Sequence, residues 1–151
     1  SALELADRVG AREVEAAAHV GLALCALAMG RLQEAAASAR QAVEIAAEIE
    51  VPEQQWRAHG ALARIALEAG DLDAADAHST AAVAAIEALR AGLRRADLED
   101  GMLEEEEREQ IYLERARVLS AQGREAEAAG FLESAEWPPL QRRFAAERAA
   151  R

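Results

Sequence analysis

The 151-residue sequence lacks several residue types that whole classes of function require. All 17 residues counted as Lys or Arg are Arg, so no Lys amine exists for Schiff-base chemistry or for phosphate binding by a P-loop. Asn is also absent, which removes a common amide donor of oxyanion sites. The single cysteine, Cys25, excludes an internal disulfide framework and is typical of a reducing compartment.

Long apolar runs and positive charge are scarce as well. No stretch of 18 consecutive apolar residues occurs, so we expect no membrane span. The sequence also does not start with basic residues followed by an apolar run, so we see no sign of a signal peptide. The net charge of −11 argues against nucleic acid and against anionic membrane surfaces as partners. We therefore expect a cytoplasmic protein that binds neither nucleic acid nor membranes.

Alanine dominates what is present, with 41 residues, while aromatic residues make up only 3%. Alanine is the best helix former, and its small side chain lets helix backbones approach closely. Proline occurs only at positions 52, 138 and 139, which leaves long uninterrupted segments for helices. The length is sufficient for one domain with a shared core, so residues 1–151 are predicted to form a single all-α domain.

The chain repeats itself at a spacing of forty residues. Residues 19–49 and 59–89 are identical at eleven of thirty-one aligned positions, including Gly30 with Gly70. A third, weaker copy has Gly123 as its glycine, and the spacing of 53 from Gly70 indicates about thirteen inserted residues. A partial copy opens the chain, since residues 2–6 match residues 42–46. Such a period predicts stacked helical units.

Each unit is predicted to consist of two helices joined at the glycine. In unit one these helices are residues 12–29 and 32–49. Gly30 is predicted to end the first helix in the left-handed backbone conformation. In unit two, Pro52 suits a first helical turn and Asp71 suits an N-cap. The predicted partition is the end of a preceding repeat (1–10), repeat 1 (12–50), repeat 2 (52–97), an inserted turn (98–101), repeat 3 (102–136) and a C-terminal capping helix (138–151).

These units resemble the tetratricopeptide repeat (TPR) family, in a bacterial variant with extended helices of about forty residues per unit. The resemblance covers residues 2–136 and rests on two matching sets: Leu22, Ala23, Gly30, Leu32 and Ala35, then Leu62, Ala63, Gly70, Leu72 and Ala75. Unit three departs from the pattern, because Arg115 and Glu125 stand where the other units have Leu. The resemblance implies a right-handed α-solenoid of about three helix pairs plus flanking helices, with a concave groove that binds peptides.

No group of residues suggests an active site. His19 and His59 occupy the position that an aromatic residue fills in the family, kept here as Tyr112, and we expect them to pack between helices. On neighbouring helices the two histidines would lie about 10 Å apart, which is too far for both to bind one metal ion. Cys25 is expected to be a buried structural thiol and His78 to be exposed. We therefore predict no enzymatic activity, no metal and no cofactor.

The first helices of the units supply the candidate binding residues. One end of the predicted groove is apolar and the other carries Arg, which suits a peptide with an apolar anchor and an acidic segment or C-terminal carboxylate. In the alternative, these Arg residues pair with Glu68 and Glu114 inside the groove. The predicted set is Val20, Leu24, Leu27, Arg57, Arg64, Leu67, Glu68, Leu113 and Arg117.

The predicted function is that of a protein–protein interaction module, a sensor or scaffold segment of a larger bacterial signalling or regulatory protein. The alternative is self-association into a homodimer through exposed ends, for which an apolar face around Leu140 and Phe144 would be the evidence. Glu104–Glu107 is interpreted either as a solvated helix start or as a docking patch for a basic partner.

Overall fold

The computed structural model describes residues 1–95 and 105–150, and every regular element within these two ranges is an α-helix. The all-α prediction is therefore confirmed for this part of the chain, while the predicted inserted turn at 98–101 lies outside it. None of these helices combines the length and the apolar character that crossing a membrane requires. The helices are α1 (Ala2–Ala28), α2 (Leu32–Ile49), α3 (Pro52–Glu68), α4 (Leu72–Arg95), α5 (Glu105–Ala121), α6 (Glu125–Ser134) and α7 (Pro138–Ala149).

The three glycine hinges have one geometry. Gly30, Gly70 and Gly123 have φ values of 74°, 79° and 78°, a left-handed conformation that glycine adopts without steric cost. In each hinge the N–H that follows the glycine donates to a carbonyl in the last turn of the preceding helix: Arg31 to Ala26, Asp71 to Ala66 and Arg124 to Leu119, all at 2.9 Å. The third hinge, predicted from the weakest copy of the repeat, is thus confirmed.

The second hinge also has the predicted N-cap, because Asp71 Oδ1 accepts the N–H of Ala74 at 3.1 Å. Arg31 and Arg124 occupy the corresponding positions before α2 and α6 and make no such side-chain bond. The three hinges therefore share a backbone but differ in how well the next helix is capped.

A second repeated turn was not predicted from the sequence. Glu50, the C-cap of α2, and Glu136, the residue after the C-cap of α6, both have a φ of 53°, and in both cases a proline begins the next helix two residues later. The shared sequence signal is Glu-x-Pro, at residues 50–52 and 136–138. Helix α7 thus follows α6 in the way that α3 follows α2.

The first helix begins earlier than predicted. Instead of starting near residue 12, α1 begins at Ala2, where Ser1 Oγ accepts the N–H of Glu4 at 3.2 Å in a capping box. Gly10 is the only poor helix former near the predicted break, and one glycine costs only about 1 kcal/mol in a helix interior. The prediction that residues 1–10 form a separate helix end of a preceding repeat is therefore wrong.

The helices pack in a regular order. Each odd-numbered helix contacts the helix that follows it and also the next odd-numbered helix, from α1 to α7. Among the described residues, no Cα atom of α2 lies within 8 Å of one in α4, and none of α4 lies within 8 Å of one in α6. The odd-numbered helices consequently lie together along one side of the molecule.

The two ends of the molecule have different cores. Around α1 and α2 the buried residues are mostly alanine, including Ala23, Ala26, Ala35 and Ala39. Around α5, α6 and α7 the core is built from large side chains, and Leu140 and Phe144 of α7 are buried in it. The large buried residues of this cluster are Trp56, Val83, Ile86, Ile111, Tyr112, Leu113, Leu119, Leu132, Leu140 and Phe144.

Polar pairs explain the two departures of unit three from the repeat pattern. Arg115 forms an ion pair with Asp76 of α4 and donates to Ser79 Oγ at 3.2 Å. Glu125 accepts from Ser120 Oγ at 2.9 Å and pairs with Arg148 of α7 at 2.7 Å. Polar contacts between neighbouring helices thus replace the leucine contacts of the other units at these two positions.

Candidate functional site

Eight of the nine predicted binding residues line three adjoining depressions along the odd-numbered helices, and we call this surface the groove. The first depression, of about 280 Å³, is lined by Val20, Leu24, Arg57 and Arg64 among others. The second, of about 630 Å³, includes Arg64, Leu67, Glu68 and Arg117. The third, of about 310 Å³, includes Leu24, Leu27, Arg64 and Glu68.

Leu113 does not line the groove, so its prediction as a binding residue is wrong. Its side chain is fully buried, in the core cluster that also contains Leu140 and Phe144 of α7. The equivalent residues Val20 and Gly60 do line the first depression. Leu113 differs because it packs into the cluster of large side chains shared with α7, where no open side remains at this position.

The apolar end of the groove is the first depression. Its floor includes Trp56 and Ile111, and its rim includes Leu24, which is 39% exposed. Gly60 makes this floor possible, because a Cβ at that position would lie 2.2 Å from Ile111 Cδ1. The indole nitrogen of Trp56 is buried and has no hydrogen-bond partner among the described residues. Trp56, Gly60 and Ile111 were all missed by the sequence prediction.

Arg57 is paired within the chain. Its guanidinium lies 3.1 Å from Glu53 and 3.2 Å from Glu107 of α5. Glu107 belongs to the acidic run that was interpreted as a solvated start or a docking patch, and it turns instead toward α3. The sequence could not indicate this pair, since its two residues are 50 positions apart.

Arg117 is paired more fully. It donates to both carboxylate oxygens of Glu147 in α7, at 2.6 and 3.0 Å, and lies 3.3 Å from Glu114. The alternative of pairing inside the groove is therefore correct for Arg117 with Glu114. Burial raises the pKa of the Glu114 carboxyl, while the nearby charges of Arg117 and Arg64 act in the opposite direction.

Arg64 is different from the other two groove arginines. It is exposed, it lines all three depressions, and it has no ion pair or hydrogen bond with any residue in the described ranges. An arginine that forms no direct ion pair or hydrogen bond keeps its five donors for an external acceptor. The junction of the groove thus presents a free guanidinium beside the apolar side chains of Leu24 and Leu27.

The histidines are arranged differently from the prediction. His59 packs on His78 of α4, with ring centroids 5.2 Å apart and a distance of 3.0 Å between the two Nδ1 atoms. His78 is half-buried, so its predicted exposure is wrong. Burial lowers the pKa of both imidazoles, which favours two neutral rings sharing one N–H···N bond. His19 is half-buried, and its Nδ1 atom has no hydrogen-bond partner in the part of the chain that the structure describes.

Cys25 is exposed, and its predicted burial is wrong. It lies on an exposed side of α1 together with Leu22 and Met29, which are 58% and 67% exposed. Within the two described ranges, no three His, Cys, Asp or Glu side chains are grouped in a way that could hold a metal ion.

Comparison with protein families, with curated proteins and with solved structures finds no match for this chain. The geometry of the groove therefore carries the functional argument.

Proposed function

We propose that the chain is a right-handed TPR-like α-solenoid whose groove binds a peptide or an extended segment of a partner protein. Three hinges of one geometry and the contacts between successive odd-numbered helices support this architecture. Because the odd-numbered helices touch one another and the even-numbered helices do not, the odd-numbered side is the shorter one. A stack of this kind curves toward the groove.

One observation carries the proposed ligand chemistry, namely the free guanidinium of Arg64. Of the three groove arginines predicted to bind a carboxylate, Arg57 and Arg117 are occupied by Glu107 and Glu147. The ligand therefore needs one carboxylate rather than an extended acidic segment. A planar guanidinium binds a carboxylate through two parallel hydrogen bonds, which fixes the orientation of the ligand as well as its charge.

The first depression supplies the second contact. It opens next to Arg64 and is lined by Val20, Leu24, Trp56 and Ile111. An apolar side chain of the ligand would remove these groups from water at a gain of roughly 25 cal/mol per Å² of apolar surface buried. The proposed ligand is thus a peptide with an apolar residue next to an acidic side chain or a C-terminal carboxylate.

Selection from a peptide library with free C-termini, followed by calorimetric measurement of Kd, tests the proposal. We expect the Arg64→Glu variant to bind at least about tenfold more weakly, because it replaces a charge-assisted bond by a repulsion. Arg142→Glu is the matched control, since Arg142 is an exposed arginine of α7 outside the three depressions. Equal affinities of the two variants would contradict the proposal.

The same measurement with amidated peptides separates the two possible acids. A peptide that binds through its C-terminal carboxylate should lose affinity when it is amidated, whereas a peptide that binds through an Asp or Glu side chain should keep its affinity. Leu24→Asp is expected to weaken the binding of both kinds of peptide, because it places a charge at the apolar rim beside the ligand's own carboxylate.

The alternative predicted from the sequence is self-association through an apolar face around Leu140 and Phe144. Both side chains are buried, so they do not form an exposed face of this kind. A role as a sensor or scaffold segment of a larger bacterial signalling or regulatory protein in the cytoplasm stays a prediction.

A further inference from the structure

The large apolar side chains that the described residues expose are concentrated on the first helix. Leu3, Leu5, Val14, Leu22 and Leu24 lie on α1, and Met29 is its C-cap. Leu24 belongs to the groove, but a second set does not: Val14, Ala18, Leu22, Cys25 and Met29 follow one another at i, i+4, i+8, i+11 and i+15, and all are exposed. We call this set the outer face of α1.

Four of the five corresponding positions, forty residues later in α3, are covered, and the fifth, Ala69, which matches Met29, is exposed. Gln54, Ala58, Leu62 and Ile65 match Val14, Ala18, Leu22 and Cys25, and their exposed fractions are 6%, 0%, 6% and 2%. Leu22 and Leu62 are the same residue type at the same position of the repeat, yet Leu22 is 58% exposed. The difference therefore lies in what packs on the helix.

Helix α2 is what covers α3. Four alanines of α2, spaced at i, i+4, i+7 and i+11, are fully buried at this contact. Ala35 and Ala39 cluster with Leu62 and Ile65, and Ala42 and Ala46 cluster with Ala58. A stripe of small residues lets two helices approach closely, so that the larger side chains of α3 fill the space beside it.

The other odd-numbered helices use the same face in the same way. In α5, Val118 packs with Ala75 of α4, and Arg115 bonds to Asp76 and Ser79 of that helix. In α7, Leu140 and Phe144 share a cluster with Ala128 and Leu132 of α6. Three of the four odd-numbered helices thus bury this face against the preceding even-numbered helix.

We propose that the outer face of α1 binds an α-helix of the α2 type, running antiparallel to α1 and presenting alanine or other small residues at i, i+4, i+7 and i+11. The partner is defined by this stripe, which the molecule itself uses against the equivalent face. The site is separate from the groove, because none of the five residues of the outer face lines the three depressions.

A second copy of the chain fits this face less well. The alanine stripe of α2 is occupied by α3, and the matching faces of α4 and α6 are occupied by α5 and α7. The remaining contact of this face between copies is α1 against α1, which would bring the large side chains of Val14, Leu22 and Met29 of both copies into one interface, whereas the fold pairs the equivalent face of α3 with alanines of α2.

The proposal is tested with an extended chain in which residues 1–51 are followed directly by residues 12–151. The added α2 then precedes the original α1 as α2 precedes α3, and Cys25→Ala in the added copy leaves one thiol, on the original outer face. We expect its reaction with Ellman's reagent to slow by at least about tenfold relative to the unextended chain, because reaction then requires the interface to open.

Ala39→Glu with Ala42→Glu, made only in the added copy, is the matched control and is expected to restore fast reaction, since two buried carboxylates would break the contact. An unchanged thiol rate in the extended chain overturns the proposal whatever its helicity, because a face suited to this helix would order it. A concentration-dependent dimer of the unextended chain with a protected thiol would also overturn it, by identifying a second copy as the occupant.

Discussion

The first helix pair and the last three helices follow the same backbone plan, but small side chains fill the contacts of the former and large side chains fill those of the latter. Between α1, α2 and α3 the buried contacts are made largely by alanine, with Leu62 and Ile65 as the large members. Around α5, α6 and α7 the core holds Tyr112 stacked on Phe131 at 5.4 Å, with the edge of Trp137 at 6.1 Å. Identical hinges thus join helices whose contacts differ greatly in the apolar area that they bury.

This difference teaches where the repeat can be open to a partner. Alanine contacts hold helices close together but remove little apolar surface from water, whereas an aromatic side chain buries 150–250 Å². The alanine-rich end leaves Val20, Leu24 and Leu27 on the wall of the groove, where the aromatic-rich end has Arg117 locked to Glu147. We therefore expect stability to concentrate at the C-terminal end and the apolar binding surface at the N-terminal end.

Truncation of a large core residue should produce the largest effect. Leu132 is 1% exposed in the aromatic-rich cluster, so Leu132→Ala is expected to lower the free energy of unfolding by about 2–5 kcal/mol. Val43→Ala is the comparison at the alanine-rich end, where Val43 is only partly buried, and should cost about 1 kcal/mol. Urea unfolding followed by circular dichroism measures both, and equal costs would refute the proposed gradient of stability.

The histidine pair between α3 and α4 predicts a dependence on pH. Burial lowers the pKa of His59 and of His78 in the folded state, so below their ordinary value of 6.5 the unfolded chain binds more protons than the folded chain. The free energy of unfolding should therefore fall as the pH is lowered through 6.5 toward the folded-state pKa values. Denaturant unfolding between pH 7.5 and 5.5 measures this loss.

The variant carrying His59→Gln and His78→Gln isolates the contribution of the pair, because two amides can still hydrogen-bond but do not titrate in this range. Its stability should depend less steeply on pH than that of the parent chain. Glu114 acts in the opposite direction, since its pKa is raised and its folded state binds the extra proton. A parent and a variant with the same pH profile would show that the histidine pair is not the titrating element.

Local signals predicted the parts of the fold that depend on local chemistry. Each glycine hinge requires a left-handed residue, and glycine at the right place in the repeat marks it. The start of α1 was predicted wrongly, because residues 9–12 carry no stop signal and the capping box at Ser1 decides it. Leu113 and Cys25 were predicted wrongly because periodicity identifies apolar faces without identifying which neighbour covers them.

The chemistry of the groove was less predictable from the sequence for a related reason. No pattern in the sequence shows which of the three arginines is paired, and only the fold brings Glu107 to Arg57 and Glu147 to Arg117 while Arg64 has no ion pair within the described ranges. Both carboxylates lie 30 or more residues from their arginines, and no local rule links such positions. The contact of His59 with His78, which lie 19 positions apart, was likewise not predicted from the sequence.

The smallest expected effect concerns the caps of the even-numbered helices. Asp71 caps α4 through the N–H of Ala74, but Arg31 precedes α2 without a side-chain cap and only lies 3.6 Å from Glu34. Arg31→Ser should supply the missing acceptor and raise the free energy of unfolding by about 0.5–1 kcal/mol, with Asp71→Ala lowering it by about 1 kcal/mol. Thermal unfolding of the two variants measures both changes, and a destabilised Arg31→Ser chain would mean that the surface pair with Glu34 outweighs a cap. Because the change acts at the first hinge alone, a gain in stability would also narrow the difference between the alanine-rich end and the aromatic-rich end.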